Sequence, residues 1–282
     1  MVNKTQYKVG AQFRYQKKWG QNFLINPRVL QKIVASAEVG PKDLVVEVGT
    51  GEGNLTFLLV QKAGAVIGFE IDPRLFSLTR DRCHSFSNLH LYQGDFLQFS
   101  MSDLIESFPG FNYKMVSNLP YSISSPVLFK VLESEIPWKM VVLMVQKEFG
   151  ERVLSPPGER ESGLLSLAVH MRMKVEKIMS VSRFSFRPAP QVDSVLLKLT
   201  PWIQAVELVR YRAVMEVARV LFSQRRKKIG KTLSRSLALP QGEELLTQLG
   251  IDPALRPENL RVEQWICLSQ AIAEQKEGGA VL

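Results

Sequence analysis

The stretch Leu44-Val45-Val46-Glu47-Val48-Gly49-Thr50-Gly51-Glu52-Gly53-Asn54-Leu55-Thr56 decides the fold. Its first five residues form a short, mostly apolar run and read as a buried strand. Glycines at 49, 51 and 53 then let the backbone turn sharply and approach a ligand with no Cβ in the way. Residues 54–61 follow a helical pattern. A strand passing through a glycine-rich turn into a helix is a building unit of α/β sheets.

Outward from this unit, strand and helix signals alternate. Residues 65–70 read as a strand, 74–85 as a helix and 89–93 as a strand. Residues 115–118 and 140–146 are further strands, with a helix at 126–133 between them. Residues 162–171 are predicted helical and precede strands at 173–181 and 194–200. Upstream, Pro27 opens a helix to about Ala37, with Val29, Leu30, Ile33 and Val34 on one face. This alternation predicts an α/β fold: a mostly parallel, doubly wound, Rossmann-like sheet. After Pro201 every segment is predicted helical, at 205–222, 229–238, 243–249 and 262–274, punctuated by Pro240, Gly250, Pro253 and Pro257. The expected organisation is a basic segment at 1–28, an α/β body at 29–202 and a small all-helical unit at 203–282.

Three acids, Glu47, Glu70 and Asp95, stand at or near the carboxyl ends of predicted strands, where open α/β sheets bind ligands. Glu70 lies 21 residues after Gly49, a distance at which an acid can accept hydrogen bonds from both ribose hydroxyls of a nucleotide. Asp95, in Gln93-Gly94-Asp95-Phe96, could hold an adenine amine. The dinucleotide fingerprint would need glycine at 54, where Asn54 stands. With Glu47 two residues before the loop, a nucleoside carrying a sulfonium fits better than a dinucleotide. The competing reading is a glycine turn made for packing and strand-end acids made for capping, with Asp72 ahead of Pro73 a natural cap.

Asn118-Leu119-Pro120-Tyr121 follows the next strand. An adenine amine is a poor nucleophile because its lone pair is delocalised into the ring. Two acceptors on its two N–H groups favour a pyramidal nitrogen whose lone pair can face an electrophile. An Asn side-chain oxygen and a neighbouring backbone carbonyl can supply them, and a tyrosine can stack on the ring. An Asn-Pro turn with a core tyrosine is the other reading of the same four residues.

The 282 residues carry a formal net charge of +9, and 45% are hydrophobic, which allows a sizeable core. Residues 1–40 carry a net +6, 41–184 a net −1 and 185–282 a net +4. A near-neutral body between basic ends points to a polyanionic partner, with solvated surface charge as the alternative. Cys83 and Cys267 match no metal-ligand or redox spacing and are expected to pack as small hydrophobes, so no metal site is predicted. The N-terminus lacks the apolar stretch of a signal peptide, and the longest apolar run, 140–145, is too short for a bilayer. The expected location is cytoplasmic.

Seven segments, in order along the chain, carry a family resemblance. They are Lys17-Lys18-Trp19-Gly20-Gln21-Asn22-Phe23-Leu24, residues 47–56, the strand ending at Glu70, Gly94-Asp95, and Asn118 to Tyr121. The last two are Phe186-Arg187-Pro188-Ala189-Pro190-Gln191-Val192-Asp193-Ser194 and Leu221-Phe222-Ser223-Gln224-Arg225-Arg226-Lys227. On these segments the chain resembles the KsgA (RsmA) family of ribosomal RNA adenine dimethyltransferases. The resemblance implies a class I methyltransferase body that uses S-adenosyl-L-methionine, releases S-adenosyl-L-homocysteine and needs no metal. It implies methylation of the exocyclic amines of two adjacent adenines near the 3′ end of small-subunit (16S) rRNA, during maturation of the small ribosomal subunit. By resemblance, Asn22, Leu24, Gly49, Gly51, Glu70, Asp95 and Asn118 would contact the cofactor. Asn118, the Leu119 carbonyl, Pro120 and Tyr121 would surround the target amine, and Phe186 would stack on the other face of the adenine. For Phe186 a core aromatic held by a proline turn is the alternative. The family commonly has proline where Thr50 stands and an aromatic where Ser162 stands. Threonine should be tolerated in the loop, and the serine bears on local packing.

From Arg219 to Arg235 there are seven basic residues and no acid. Arg225, Arg226, Lys227 and Lys228 at its centre are expected to contact RNA phosphates, which position RNA without reading sequence. Three other functions compete: a large-subunit rRNA methylase of the antibiotic-resistance type, a non-catalytic RNA-binding assembly factor, and a nicotinamide-dependent oxidoreductase. The resistance methylases usually carry isoleucine where Leu119 stands and a shorter helical tail. The intact Asn118 and glycine loop favour catalysis, and the glycine spacing disfavours a nicotinamide cofactor. A monomer is expected.

Overall fold

The computed structural model describes residues 22–236 and 241–278. The basic residues ahead of Asn22, and the end of the helix expected to reach Ala238, lie outside the described residues. The chain begins with β1 (Phe23–Leu24), α1 (Pro27–Ser36), β2 (Asp43–Val48), α2 (Asn54–Val60), β3 (Ala65–Glu70), α3 (Pro73–Arg82) and β4 (Leu89–Gln93). It continues with α4 (Met101–Ser107), β5 (Asn112–Asn118), α5 (Ser124–Glu133), β6 (Trp138–Gln146), α6 (Lys147–Leu154) and α7 (Leu164–Arg172). The remaining strands are β7 (Met173–Val181), β8 (Phe186–Arg187) and β9 (Ser194–Pro201). Helices α8 (Leu208–Ser223), α9 (Ile229–Ser236), α10 (Gly242–Gln248) and α11 (Val262–Gly278) follow.

Seven strands form one sheet in the order β4-β3-β2-β5-β6-β9-β7. The five from β4 to β6 are parallel, and β9 runs antiparallel to both β6 and β7. All six residues of β2 and of β3 are buried, as expected where helices cover both faces of a parallel sheet. The chain moves outward from β2 through β3 to β4, then returns to β5 on the other flank of β2. That reversal opens a crevice at the carboxyl ends of β2 and β5. Gly49 and Asn118 stand at its two sides.

Local chemistry explains the helix starts. Asn26 caps α1 by accepting the Arg28 N–H at 3.1 Å, with Pro27 in the first turn as expected. Asp72 caps α3 in the same way, accepting from Arg74 N at 3.0 Å.

Several elements differ from the expectations. β2 and β5 begin at Asp43 and Asn112, ahead of the apolar runs expected from 44 and 115, because both carry partners of one buried ion pair. Lys114 Nζ lies 2.9 Å from Asp43 Oδ2, with both side chains almost fully buried. Helices α4 and α6 were not expected, nor was the two-residue pairing of β1 with β8, which sets Leu24 opposite Phe186. α7 starts at Leu164 instead of residue 162 because Gly163 N–H donates to Ser166 Oγ at 3.1 Å and caps it. Ser162 is buried in the preceding turn, its N–H donating to Glu159 O at 2.9 Å. β7, at the sheet edge, shifts register between Lys177 and Met179.

One apolar cluster runs from the sheet into the helical end, joining Met115, Leu143 and Leu197 to Tyr211, Ile229 and Trp265. A second cluster joins Leu30 and Ile33 of α1 and Leu59 of α2 to Val45 and Val142 of the sheet. Among the described residues, no helix is long and apolar enough to cross a membrane.

Candidate active site

At the switch point a cleft of about 240 Å³ opens. Its lining brings together Asn22, Leu24, Gly49, Gly51, Glu70 and Asp95 from the expected cofactor set. Glu47 and the whole Asn118–Tyr121 motif face the same cleft.

The loop after β2 strongly favours glycine at two positions. Gly49 and Gly51 have φ of 77° and 58°, in the left-handed region that costs an L-residue about 1–2 kcal/mol. A Cβ on Gly49 would come 3.0 Å from the Pro120 ring, and one on Gly51 would come 3.2 Å from the Phe23 ring. The glycine loop is therefore in tight contact with the Asn118–Tyr121 motif and with β1.

Glu70 latches this loop. Its Oε2 accepts the Gly51 N–H at 2.8 Å, and its Oε1 accepts the Asp72 N–H at 3.0 Å. Burial raises its pKa, and these backbone N–H groups offset part of the rise. Asp95 caps the turn that follows it, accepting from Leu97 N at 2.9 Å. Both acids thus hold the loops they belong to and also line the cleft. Lys130, which the sequence reading passed over, braces the Asp95 turn from α5. Its Nζ donates to Leu97 O at 2.8 Å and Phe99 O at 2.6 Å, and lies 5.4 Å from the Phe96 ring centroid.

Glu47 is 1% exposed, and its Oε2 has no hydrogen-bond partner. Burial pushes its pKa up to about 8, and the charge of Glu70 adds to the rise. The nearby Thr56 hydroxyl offsets part of it without making a hydrogen bond of normal geometry. The carboxyl therefore stays protonated in the folded protein while the unfolded chain, with the ordinary value of 4.5, gives up its proton. Folding stability then falls as pH rises from about 4.5 to about 8, and levels off above. The expected result is that Glu47→Gln melts higher than the parent by a margin that grows from pH 5 to pH 8. Thermal denaturation at both pH values measures it, and a margin that does not grow would mean that Glu47 is ionised when folded.

The Asn118–Tyr121 motif is fixed from two sides. Leu119 N–H donates to Met144 O at 3.2 Å on β6, and the Leu119 side chain is buried. Tyr121 Oη and Ser194 Oγ are 2.8 Å apart, which ties the tyrosine to the start of β9. Burial raises the Tyr121 pKa, keeping the ring neutral. Asn118 Nδ2 donates to Asn22 O at 3.5 Å. Asn118 Oδ1 is buried and has no hydrogen-bond partner. A buried carbonyl oxygen left unpaired costs about 1–3 kcal/mol, so an acceptor held open at a cleft signals a missing donor.

Phe186 lies apart from the residues that line the cleft. It is 4% exposed, belongs to the apolar cluster of Leu24, Met144 and Leu196, and is not among the cleft's lining residues. Its pairing with Leu24 across β1 and β8 places it in the core. The basic run also divides. Arg225 Nη2 donates to Arg160 O at 2.8 Å, and its Nε lies 3.7 Å from Glu258 Oε2. Arg219 Nη2 donates to Glu133 Oε1 at 2.5 Å. Arg226, Lys227 and Lys228 are exposed and form no ion pair with the described residues.

The model of the ribosomal RNA adenine dimethylase family matches residues 12–274. This chain belongs to that family. It is 39% identical over 272 residues to "Ribosomal RNA small subunit methyltransferase A" of Bacillus cytotoxicus, covering 94% of this chain and 93% of the relative. The relative of the same name in Bacillus mycoides matches at the same identity and coverage. A dimethyladenosine transferase from Plasmodium falciparum superposes with a TM-score of 0.75 and 32% identity, over 91% of this chain and 98% of that one. The 23S rRNA methyltransferase ErmE superposes with a TM-score of 0.66 and 26% identity, over 89% of this chain and all of the other.

Where this family commonly has proline, Thr50 adds a link of its own. Thr50 Oγ1 lies 3.1 Å from Thr79 Oγ1, which donates onward to Gly51 O at 3.0 Å. Two hydroxyls thus tie the glycine loop to α3. Threonine on a loop gives no signal in sequence that its partner lies 29 residues away.

Proposed function

We propose that this chain transfers methyl groups from S-adenosyl-L-methionine to the exocyclic amines of two adjacent adenines near the 3′ end of small-subunit rRNA. It would act as a monomer on immature small ribosomal subunits in the cytoplasm. The observation that carries the reading is the buried, unpartnered Asn118 Oδ1, held beside a loop whose Gly49 and Gly51 take left-handed backbone and leave little room for a Cβ.

The residues present fit the cofactor. Gly49 and Gly51 pack bare backbone against Pro120 and Phe23 at the cleft, and Glu47 Oε2 is a second buried polar atom without a partner. Glu70 and Asp95 offer carboxylate oxygens to the cleft for ribose hydroxyls and an adenine amine, and Asn22 and Leu24 close its near side. When bound, the cofactor supplies an electrophilic methyl group on sulfur. Asn118 Oδ1 and the Leu119 carbonyl would each accept an N–H from the target amine, turning its lone pair out of the ring plane. Tyr121, anchored through Ser194, would stack on the adenine and keep the extruded base in place. The protein needs no strong base, because the methylated amine is acidic enough to release its proton to water.

The 39% identity to small-subunit methyltransferases over nearly the whole chain, against 26% to the 23S enzyme, supports the small-subunit substrate. The test is methyl transfer from labelled S-adenosyl-L-methionine to unmethylated small ribosomal subunits, with large-subunit RNA alongside and nucleosides analysed after digestion. Dimethyladenosine from small subunits alone is the expected result; label in large-subunit RNA would move the chain to the resistance methylases.

The helical end would grip the RNA backbone through Arg226, Lys227 and Lys228, with Arg225 partly committed to holding α8 against Arg160 and Glu258. Replacing Arg226 and Lys227 together with alanine is expected to weaken RNA binding and lower the salt slope by about two. Cofactor affinity should not change. Titrations over a range of salt concentrations check this, and an unchanged slope would exclude phosphate contact.

A further inference from the structure

Phe184 is 77% exposed, yet its surroundings are firmly held. It stands in the 3-10 turn Arg183–Ser185, which Ser182 caps by accepting the Phe184 N–H. Arg183 N–H donates to Asp193 Oδ1 at 3.0 Å, and Arg183 Nη1 donates to Gln191 O at 2.8 Å. On the other side, Ser185 O accepts the Ile25 N–H at 2.9 Å, and Ser185 Oγ accepts from Asn26 Nδ2 at 3.2 Å. The Arg183 guanidinium lies over the Phe184 ring, 5.5 Å from its centroid. A large aromatic displayed to water on a fixed backbone forgoes its burial unless a partner covers it. Ile25 and Val192, also exposed, belong to the same two segments.

The location is informative. Asp193 holds the Arg183 backbone, and the next residue, Ser194, holds the Tyr121 hydroxyl. The turn is therefore rooted beside the catalytic motif. Phe186, the aromatic expected to face RNA, is buried two residues further on, which leaves Phe184 as the ring this segment presents to solvent. The surrounding charge is positive: Arg183 and Arg187 are exposed, and the Asp193 carboxylate is already engaged by a backbone N–H. A flat ring beside a guanidinium accepts an unpaired base by stacking and a phosphate by charge.

We propose that Phe184 and Arg183 form a stacking platform for an unpaired RNA base next to the adenine being methylated. The proposal rests on the rRNA methyltransferase reading above. Phe184→Ala is expected to raise KM for unmethylated small subunits roughly 5- to 100-fold while the cofactor Kd stays unchanged. Phe184→Trp should restore the parent KM, and Phe184→Leu, apolar but not flat, should behave like the alanine variant. An unchanged KM in Phe184→Ala, or full rescue by leucine, would overturn the platform. Anisotropy titration with a labelled single-stranded oligoribonucleotide of the small-subunit 3′ region reads the same contact without turnover. Equal affinity of parent and Phe184→Ala there would also overturn it. Failure of the parent protein to methylate small subunits, with the oligonucleotide effect intact, would sink the substrate reading and leave the platform standing.

Discussion

Asn118→Ala should slow methyl transfer by two to three orders of magnitude, the range seen when one preorganised polar group is removed from an active site. RNA binding should hardly change, and the cofactor Kd should rise less than about tenfold. The asymmetry follows from the chemistry of the amine. As nitrogen donates its lone pair it gains positive charge and its N–H groups become stronger donors. A bond to Asn118 Oδ1 is therefore worth more in the transition state than in the ground state, and its loss falls on kcat. The oxygen is buried and unpaired, an acceptor whose donor is not supplied by the described residues. Asn118→Asp keeps an acceptor but loses the Nδ2 bond to Asn22 O, and should retain more activity than alanine. Single-turnover assays with saturating RNA and cofactor would show it. An alanine variant within tenfold of the parent rate would remove Asn118 from the mechanism.

The largest effect on stability should come from Lys114→Met. Lys114 Nζ lies 2.9 Å from Asp43 Oδ2, 3.0 Å from Ala37 O and 2.6 Å from Glu38 O. Asp43 in turn accepts the Gly40 N–H at 2.8 Å and Asn112 Nδ2 at 3.1 Å. Burial alone would raise the Asp43 pKa, but Lys114, Gly40 and Asn112 together hold it below the ordinary range. Methionine would fit the space and leave a buried carboxylate uncompensated, at a cost of about 3–5 kcal/mol. At this chain length that corresponds to a fall in Tm on the order of 10 °C. Adding Asp43→Leu should recover much of the loss, because a buried pair replaced by apolar groups is often near neutral. Calorimetry on the single and double variants decides it: a single variant that melts with the parent would mean the pair contributes nothing.

That same pair shows where sequence reading stops. The apolar cores of β2 and β5 were legible because a strand covered on both faces is a continuous apolar run. Asp43 and Lys114 were read as strand boundaries, since a charge in such a run looks like an exit to solvent. Only their pairing across 71 residues makes them interior. The glycine loop, the three strand-end acids and Asn118 were expected at strand ends around one ligand, and the fold gathers them at one cleft. Phe186 was harder to read: an aromatic before a proline turn looks the same whether it faces substrate or core. Its burial depends on β1 pairing with β8, two residues each and more than 160 residues apart, which no local pattern announces. Lys130 and Thr79 were invisible, and the task of Ser194 could not be assigned, because these are defined only by loops brought to them by folding.

The sheet's outer margin has a consequence for the life of the protein in a crowded solution. Among the described residues β7 leaves one side unpaired in the seven-stranded sheet, and an open margin invites a second molecule to add its own strand. Lys174, Glu176 and Lys177 are exposed along it, and the register slip after Lys177 breaks the regular ladder a newcomer would need. A neighbouring molecule would have to desolvate charged side chains to pair with a backbone that is already out of step. The strand that closes the core at this margin is thus poorly suited to pairing with another strand, and the cleft lies away from it, beyond β9 and β6.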